Sequence, residues 1–323
     1  MSNRFFKLIP LFGAATLLGV SCKKESQKTT SCTTSVHAYL LQRPSISTMT
    51  GTVGSLNTGL SMFTGISSPI TGDFTFVNGA YNSSDSCYYL FRGGSSGSSS
   101  STDLCKVDRT GTITTYTGSS SYYGRQLVYD RFTHQLYTLE SGSIKQVSIS
   151  GSTYSLSTVF TPSHLVRSGG YEFSNSLTVD RATGDLYTIT GDTANCYIEK
   201  FTRSSGSGSI VATFSSTSYK WHYSLCYNTA DNKLYSLKET WAPLAYKIIK
   251  TDPASGSSTE LTTFDTTGTI FNPDFHSACI DECSNKYVLS TVMSTNYLIK
   301  FDLSSSSFTI DTTHPNILGL SAE

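Results

Sequence analysis

The sequence predicts an all-β protein built from one repeated unit of four short strands. Three observations predict it. Of 323 residues, 20 are Tyr and 17 are Phe, and charged residues make up only 14%, against about 25% in ordinary soluble domains. Aromatic and β-branched residues suit strands, and the abundant Ser and Gly suit the turns between them. A short strand pattern returns about every 49 residues. No long stretch carries the apolar spacing of an amphipathic helix.

The N-terminus reads as an address. Arg4 and Lys7 precede a 13-residue apolar run, Leu8 to Val20. About 20 residues are needed to cross a bilayer, so this run fits the core of a secretory signal instead. Gly19-Val20-Ser21-Cys22 follows directly and resembles a bacterial lipobox, in which the cysteine receives lipid and becomes the new N-terminus. Leu17 and Leu18 stand slightly upstream of the usual leucine position. The resemblance implies a signal peptide over 1–22 and lipidation at Cys22. Residues 23–35 are polar and without apolar periodicity, and are expected to form a flexible tether.

The repeat occupies 36–323. Its most regular feature is a tyrosine followed two residues later by an aliphatic residue. The tyrosines are Tyr39, Tyr88, Tyr137, Tyr187, Tyr235 and Tyr287, at spacings of 49, 49, 50, 48 and 52. Six or seven residues before five of them stands an Asx residue: Asn82, Asp130, Asp180, Asn228 or Asp281. Each ends a short apolar run, such as Leu127-Val128-Tyr129 or Leu177-Thr178-Val179, and is placed to start a turn. A third strand follows the tyrosine, as in Ile198 to Phe201 or Ile248 to Asp252. A turn follows, marked by Gly59, Gly111, Gly151, Gly208 or Gly256, and then a fourth strand, such as Ile210 to Phe214. The six tyrosines are expected in the core. Lys106, Lys200, Lys250 and Lys300, on the third strands, are expected to face solvent.

Four strands in 40–50 residues is the pattern of a propeller blade. A single blade cannot bury both faces, whereas stacked neighbours can. The first repeat lacks its leading strand, and the chain ends in an unpaired strand pattern, Asn316 to Ser321. That strand is expected to complete the first blade, closing a six-bladed β-propeller without an open edge. The motifs just quoted resemble the NHL-like and TolB-like groups of bacterial six-bladed propellers. The resemblance implies an architecture that serves both enzymes and binding modules, so it does not choose a function.

Residues just before each first strand are expected to face one mouth of the central channel. They are Asp73, Arg125, Glu172, Trp221, His222, Asp274, His276 and His314. Acids, histidines, an arginine and an aromatic converging on a concavity form a candidate ligand site. His222, His276 and Asp274 have the chemistry of a transition-metal or acid–base set, but no fixed ligand spacing. No cofactor is expected. Gly93 to Ser101 reads as a loop, since it lacks the Gly-Lys-Ser/Thr ending of a phosphate cradle. Signatures of serine hydrolases, zinc proteases and calcium loops are absent from the sequence.

There are eight cysteines. With Cys22 lipidated, seven remain. Cys87 and Cys105 are placed to pair across a hairpin, Cys279 and Cys283 flank one turn, and Cys226 and Cys279 read as buried thiols.

Lys plus Arg and Asp plus Glu both number 23. That balance argues against a nucleic-acid partner. The sequence leads to a monomeric protein of the bacterial envelope, at the outer membrane or cell surface. It is expected to bind a glycan, a peptide or an envelope protein, with Trp221, Tyr223, Trp241 and Tyr246 available for stacking. A hydrolase or lyase using the channel-mouth His and acidic residues, and a structural subunit of an envelope complex, remain open alternatives.

Overall fold

The computed structural model describes residues 36–322 except 46–47, 58, 61, 73–78, 94–101, 119–125, 141, 165–166, 169–170, 173–176, 193, 216–220, 242–243, 266–275, 293–295 and 313–315. Among the described residues every regular element is a strand.

The chain opens with β1 (Val36–Ser45), β2 (Thr48–Leu56), β3 (Phe63–Gly65) and β4 (Ile70–Gly72). β2 pairs antiparallel with β1 on one side and with β3 and β4 on the other. The next antiparallel meander is β5 (Gly79–Asn82), β6 (Cys87–Gly93), β7 (Thr102–Val107) and β8 (Ile113–Thr117). It is followed by β9 (Leu127–Asp130), β10 (Gln135–Glu140), β11 (Ser143–Ser150) and β12 (Thr153–Phe160). These two meanders touch only at their last strands, where Thr153 lies opposite Thr117 in one parallel bridge.

A short hairpin, β13 (Arg167–Ser168) with β14 (Tyr171–Glu172), precedes β15 (Leu177–Val179), β16 (Leu186–Gly191), β17 (Asn195–Thr202) and β18 (Ser207–Ser215). Then come β19 (Trp221–Asn228), β20 (Lys233–Trp241), β21 (Leu244–Thr251) and β22 (Ser258–Asp265). The last meander is β23 (His276–Asp281), β24 (Lys286–Val292), β25 (Asn296–Asp302) and β26 (Phe308–Asp311). Finally β27 (Ile317–Ala322) returns to pair antiparallel with β1. The expected joining of the chain's two ends in one sheet is therefore present.

The first strands of successive meanders lie side by side in cyclic order: β27 beside β5, β5 beside β9, then β15, β19, β23 and β27 again. They are not paired as a sheet. Side chains tie them instead. The Tyr81 N–H donates to Ser321 Oγ at 2.9 Å, and the Tyr227 N–H to Thr178 Oγ1 at 3.0 Å. The Thr229 N–H donates to Glu282 Oε1 at 3.3 Å, and the Leu320 N–H to Ser277 Oγ at 3.2 Å. Ser84 Oγ and the Tyr129 hydroxyl are 2.6 Å apart, and Gln126 bonds the backbone of Leu177. Six neighbouring pairs are thus joined by side-chain links, five of them at buried or part-buried positions where unpaired polar groups are costly.

The repeat positions behave as their chemistry requires. All six repeat tyrosines are at most 2% exposed, which places them in the core. A buried phenol needs a partner for its hydroxyl. Tyr88 donates to the Gly319 carbonyl and Tyr287 to the Ser224 carbonyl, both at 2.5 Å, and Tyr235 to Asp231 at 2.7 Å. The five Asx residues each accept the backbone N–H two residues on, at 2.9–3.2 Å. The same turns end in a left-handed residue before the second strand: Ser86, His134, Gly184, Asn232 or Asn285.

Four expectations are corrected. The third-strand lysines do not simply face water. Lys106, Lys200 and Lys250 pair with Asp85, Asp185 and Asp231 of the preceding turn at 3.0, 2.6 and 2.9 Å, and stand over the rings of Tyr89, Tyr187 and Tyr235. Lys300 donates to the Gly59 carbonyl. A lysine one strand from an aspartate on the same face gains an ion pair at little conformational cost. Gly208 lies inside β18, and Gly206, with φ of 65°, takes the left-handed place in that turn. Cys87 and Cys105 are free buried thiols, because Cys105 lies opposite Leu90 and Cys87 opposite Asn82. Trp221, His222 and His276 lie inside their first strands, because β19 and β23 begin earlier than the apolar runs alone indicate.

Candidate functional site

The cyclic strands enclose a cavity of about 90 Å³. Its walls come from all of them, including Gly79, Gln126, Thr178, Cys226, Cys279 and Leu320. At the Asx-turn end Ser83, Arg131, Arg181 and Ala322 border it. The walls hold two charged side chains among the described residues, Arg131 and Arg181. Each follows the Asx residue of its repeat, so the strand geometry sets them at one level. Arg131 Nε donates to the Arg181 carbonyl at 3.4 Å. Arg181 reaches over the cavity, donating through Nη2 to the Ala322 carbonyl, while its Nη1 lies 3.8 Å from Glu282 Oε1.

The residues proposed from sequence to line the opposite mouth are distributed unevenly. Asp73, Arg125, Asp274 and His314 lie outside the described residues, as do Cys22 and the loop 94–101. Glu172, Trp221 and His276 fall in β14, β19 and β23. His222 is fully buried rather than open at a mouth. Its ring stacks on Phe214 at 4.1 Å, and its Nδ1 is 3.4 Å from Ser236 Oγ. Burial pushes its pKa down to about 3, so it is a neutral core imidazole at physiological pH.

A second polar cluster was not foreseen. Glu199, in β17, is 1% exposed and accepts the Ser163 N–H, the Ser163 hydroxyl, the His164 N–H and the Thr190 hydroxyl at 2.7–3.1 Å. Its Oε1 also lies 3.0 Å from His164 Nδ1. Burial alone raises a carboxyl pKa. Here the hydrogen bonds from Ser163, Thr190 and His164 outweigh it and hold Glu199 below its ordinary value. With Glu199 ionised, an Nδ1–H tautomer of His164 is the one that can donate to its Oε1. The ring stacks on Tyr197 at 3.9 Å, whose hydroxyl donates to Asp192 at 2.7 Å. His164 and Glu199 are 35 residues apart in sequence. No local motif joins them; the only hint was a lone acid among the alternating residues of β17.

No family model matches the chain, and no curated protein does either. Solved structures do resemble it. A chain of a nidogen/laminin complex superposes with a TM-score of 0.59 at 14% identity, covering 89% of this chain and 98% of that one. TolB from Acinetobacter baumannii gives a TM-score of 0.60 at 12% identity, over 89% of this chain and 66% of TolB. A gluconolactonase from Xanthomonas campestris gives 0.50 at 14% identity, over 74% and 76%. At these identities the likeness shows a β-propeller fold and nothing finer.

Proposed function

We propose that the chain is a lipid-anchored protein of the bacterial envelope. In this reading its six-bladed propeller is a non-catalytic binding or scaffolding module for a glycan, a peptide or an envelope protein. Six antiparallel meanders whose first strands follow one another in cyclic order support the six-blade count.

The observation that carries the binding reading is the size of the central cavity. About 90 Å³ is well below the roughly 300–1,000 Å³ of pockets that bury a drug-sized ligand. Recognition of anything larger then falls to surface outside the cavity, with Asp73, Arg125, Glu172, Asp274, His276 and His314 as the candidates proposed from sequence. The nidogen/laminin and TolB resemblances agree with that use by analogy of fold alone.

One feature supports the location: Cys22 sits in a lipobox-like context. The direct test is fractionation of cells expressing the full chain or its Cys22→Ser variant, followed by binding screens against glycans, peptides and envelope proteins. The reading expects membrane-bound wild type, soluble Cys22→Ser protein and saturable binding to one class. A cytoplasmic wild-type protein overturns the anchor, and no binding to any class overturns the module.

The His164–Glu199 pair favours a second reading, a hydrolase or lyase with His164 as general base, as in other carboxylate-oriented histidines. Turnover of an ester, lactone or glycan that is lost in His164→Gln would move that reading ahead.

A further inference from the structure

We propose that the Asx-turn end of the central cavity is a binding site for a small oxyanion, a carboxylate or a phosphate, held by Arg131 and Arg181. The site does not depend on whether the propeller is a binder or an enzyme.

Arg181 is ion-paired with Glu282 at 3.8 Å, but the wall of the cavity itself carries positive charge only. Among the described residues, no acidic side chain lines the cavity beside the two arginines. The nearby carboxylates Asp130 and Asp180 are engaged in their own turns. Their Oδ1 atoms accept the N–H groups of Phe132 and Ala182, and their Oδ2 atoms the hydroxyls of Thr133 and Thr183. Glu282 is the nearest opposing charge. At 3.8 Å from Arg181 Nη1 it is beyond hydrogen-bond distance, and its Oε1 already accepts the Thr229 N–H.

Donors are left over. Arg181 Nη1 is buried and has no hydrogen bond. Arg131 is exposed and uses Nε on the Arg181 carbonyl. A buried donor without an acceptor is unfavourable, and the lone pairs of an oxyanion would satisfy it. Guanidinium groups match carboxylate and phosphate oxygens in geometry as well as in charge. The cavity matches a small ligand: about 90 Å³ admits one carboxylate or phosphate group with a few waters.

The test is isothermal titration of the full chain at constant ionic strength, set with sodium chloride. The probes are sodium phosphate, sodium acetate, and a short capped peptide with a free C-terminal carboxylate beside the same peptide as its amide. Saturable binding of phosphate or acetate identifies a free-ion site. Binding of the acid peptide but not of its amide identifies a site for the carboxylate of a partner. In either case Arg131→Gln is expected to weaken binding about tenfold or more, while Lys247→Gln, in β21 away from the cavity, leaves it unchanged. Arg181→Lys keeps the charge but loses the fork, and should also weaken binding. If that variant fails to fold, Arg131→Gln alone carries the comparison. Absence of saturable binding with every probe overturns the proposal, as does unchanged affinity in Arg131→Gln.

Discussion

Gln126 clasps the peptide group of Leu177 with both ends of its amide, Nε2 donating to the Leu177 carbonyl and Oε1 accepting the Leu177 N–H. The side chain does for two adjacent first strands what a ladder bond does within a sheet. Thr138 Oγ1 in turn donates to the Gln126 carbonyl at 2.7 Å, so the clasp is anchored to β10 as well. Gln126→Leu keeps the volume and leaves both Leu177 groups unpaired. Urea denaturation should show a loss of about 2–4 kcal/mol, and Gln126→Glu, which keeps one acceptor, a smaller loss. A loss within error for Gln126→Leu would mean the clasp adds nothing.

Acid should destabilise the protein through two histidines, the half-buried His37 and the fully buried His222. Burial holds His37 at about 4 and His222 at about 3, both below the ordinary 6.5. The unfolded chain therefore binds protons that the folded one refuses. Stability is full above about pH 6.5 and declines as pH falls from there toward 4 and then 3. Both nitrogens of His37 are buried without partners, and its ring stacks on Tyr81 at 3.6 Å. The double variant His37→Phe, His222→Phe should flatten the curve of melting temperature against pH between 6.5 and 4. An unchanged slope would show that other groups control it.

Closure by β27 depends on Gly319. Its φ is 67°, and a Cβ there would fall 2.3 Å from the Tyr88 hydroxyl and 2.6 Å from the Tyr39 ring. Neither ring can retreat, because both are fully buried. Gly319→Ala should therefore lower stability by several times the roughly 1 kcal/mol that a left-handed alanine alone costs. Deleting 317–323 should expose the β1 edge and bring aggregation, read by light scattering. A monomeric, cooperatively melting deletion variant would refute closure as a requirement.

Glu199 latches the segment after β12. Glu199→Gln weakens four or more hydrogen bonds that a carboxylate accepts. Limited trypsin digestion should then cut after Arg167 faster than in wild type. The wild-type latch should itself loosen in acid, because the depressed pKa of Glu199 makes its contribution present above the unfolded value and lost as pH falls through the folded one. Equal cleavage rates at neutral pH would assign Glu199 no latching role.

Ser86 holds a φ of 55° at a place where Asn232, Asn285 and Gly184 serve in other repeats. Asparagine and glycine tolerate that region better than serine. Ser86→Asn should raise stability by a few tenths of a kcal/mol up to about 1, measured by thermal melting. A drop would point to a contact of the serine hydroxyl outweighing the backbone gain.

Much of the fold was legible because its determinants are local and repeated. A tyrosine every 49 residues set the second strands, and the Asx residues set the turns before them. The position after each Asx, which supplies Arg131 and Arg181, was equally readable in Asp130-Arg131 and Asp180-Arg181, but one strand alone does not reveal that its neighbour aims at the same space. His222 illustrates the opposite case. Its place before an apolar run implied an open mouth, yet β19 starts at Trp221 and carries the imidazole under Phe214.

By itself the sequence determined the all-β class, the core tyrosines and the return of the last strand to the first, because each can be read from a local pattern that recurs along the chain. The tertiary structure decided which polar groups meet. Gln126 finds Leu177, Glu199 finds His164 and Arg181 reaches Ala322 across 51, 35 and 141 residues. Such pairs arise only where strands of different repeats are brought side by side, and burial then selects those that satisfy each other's hydrogen bonds.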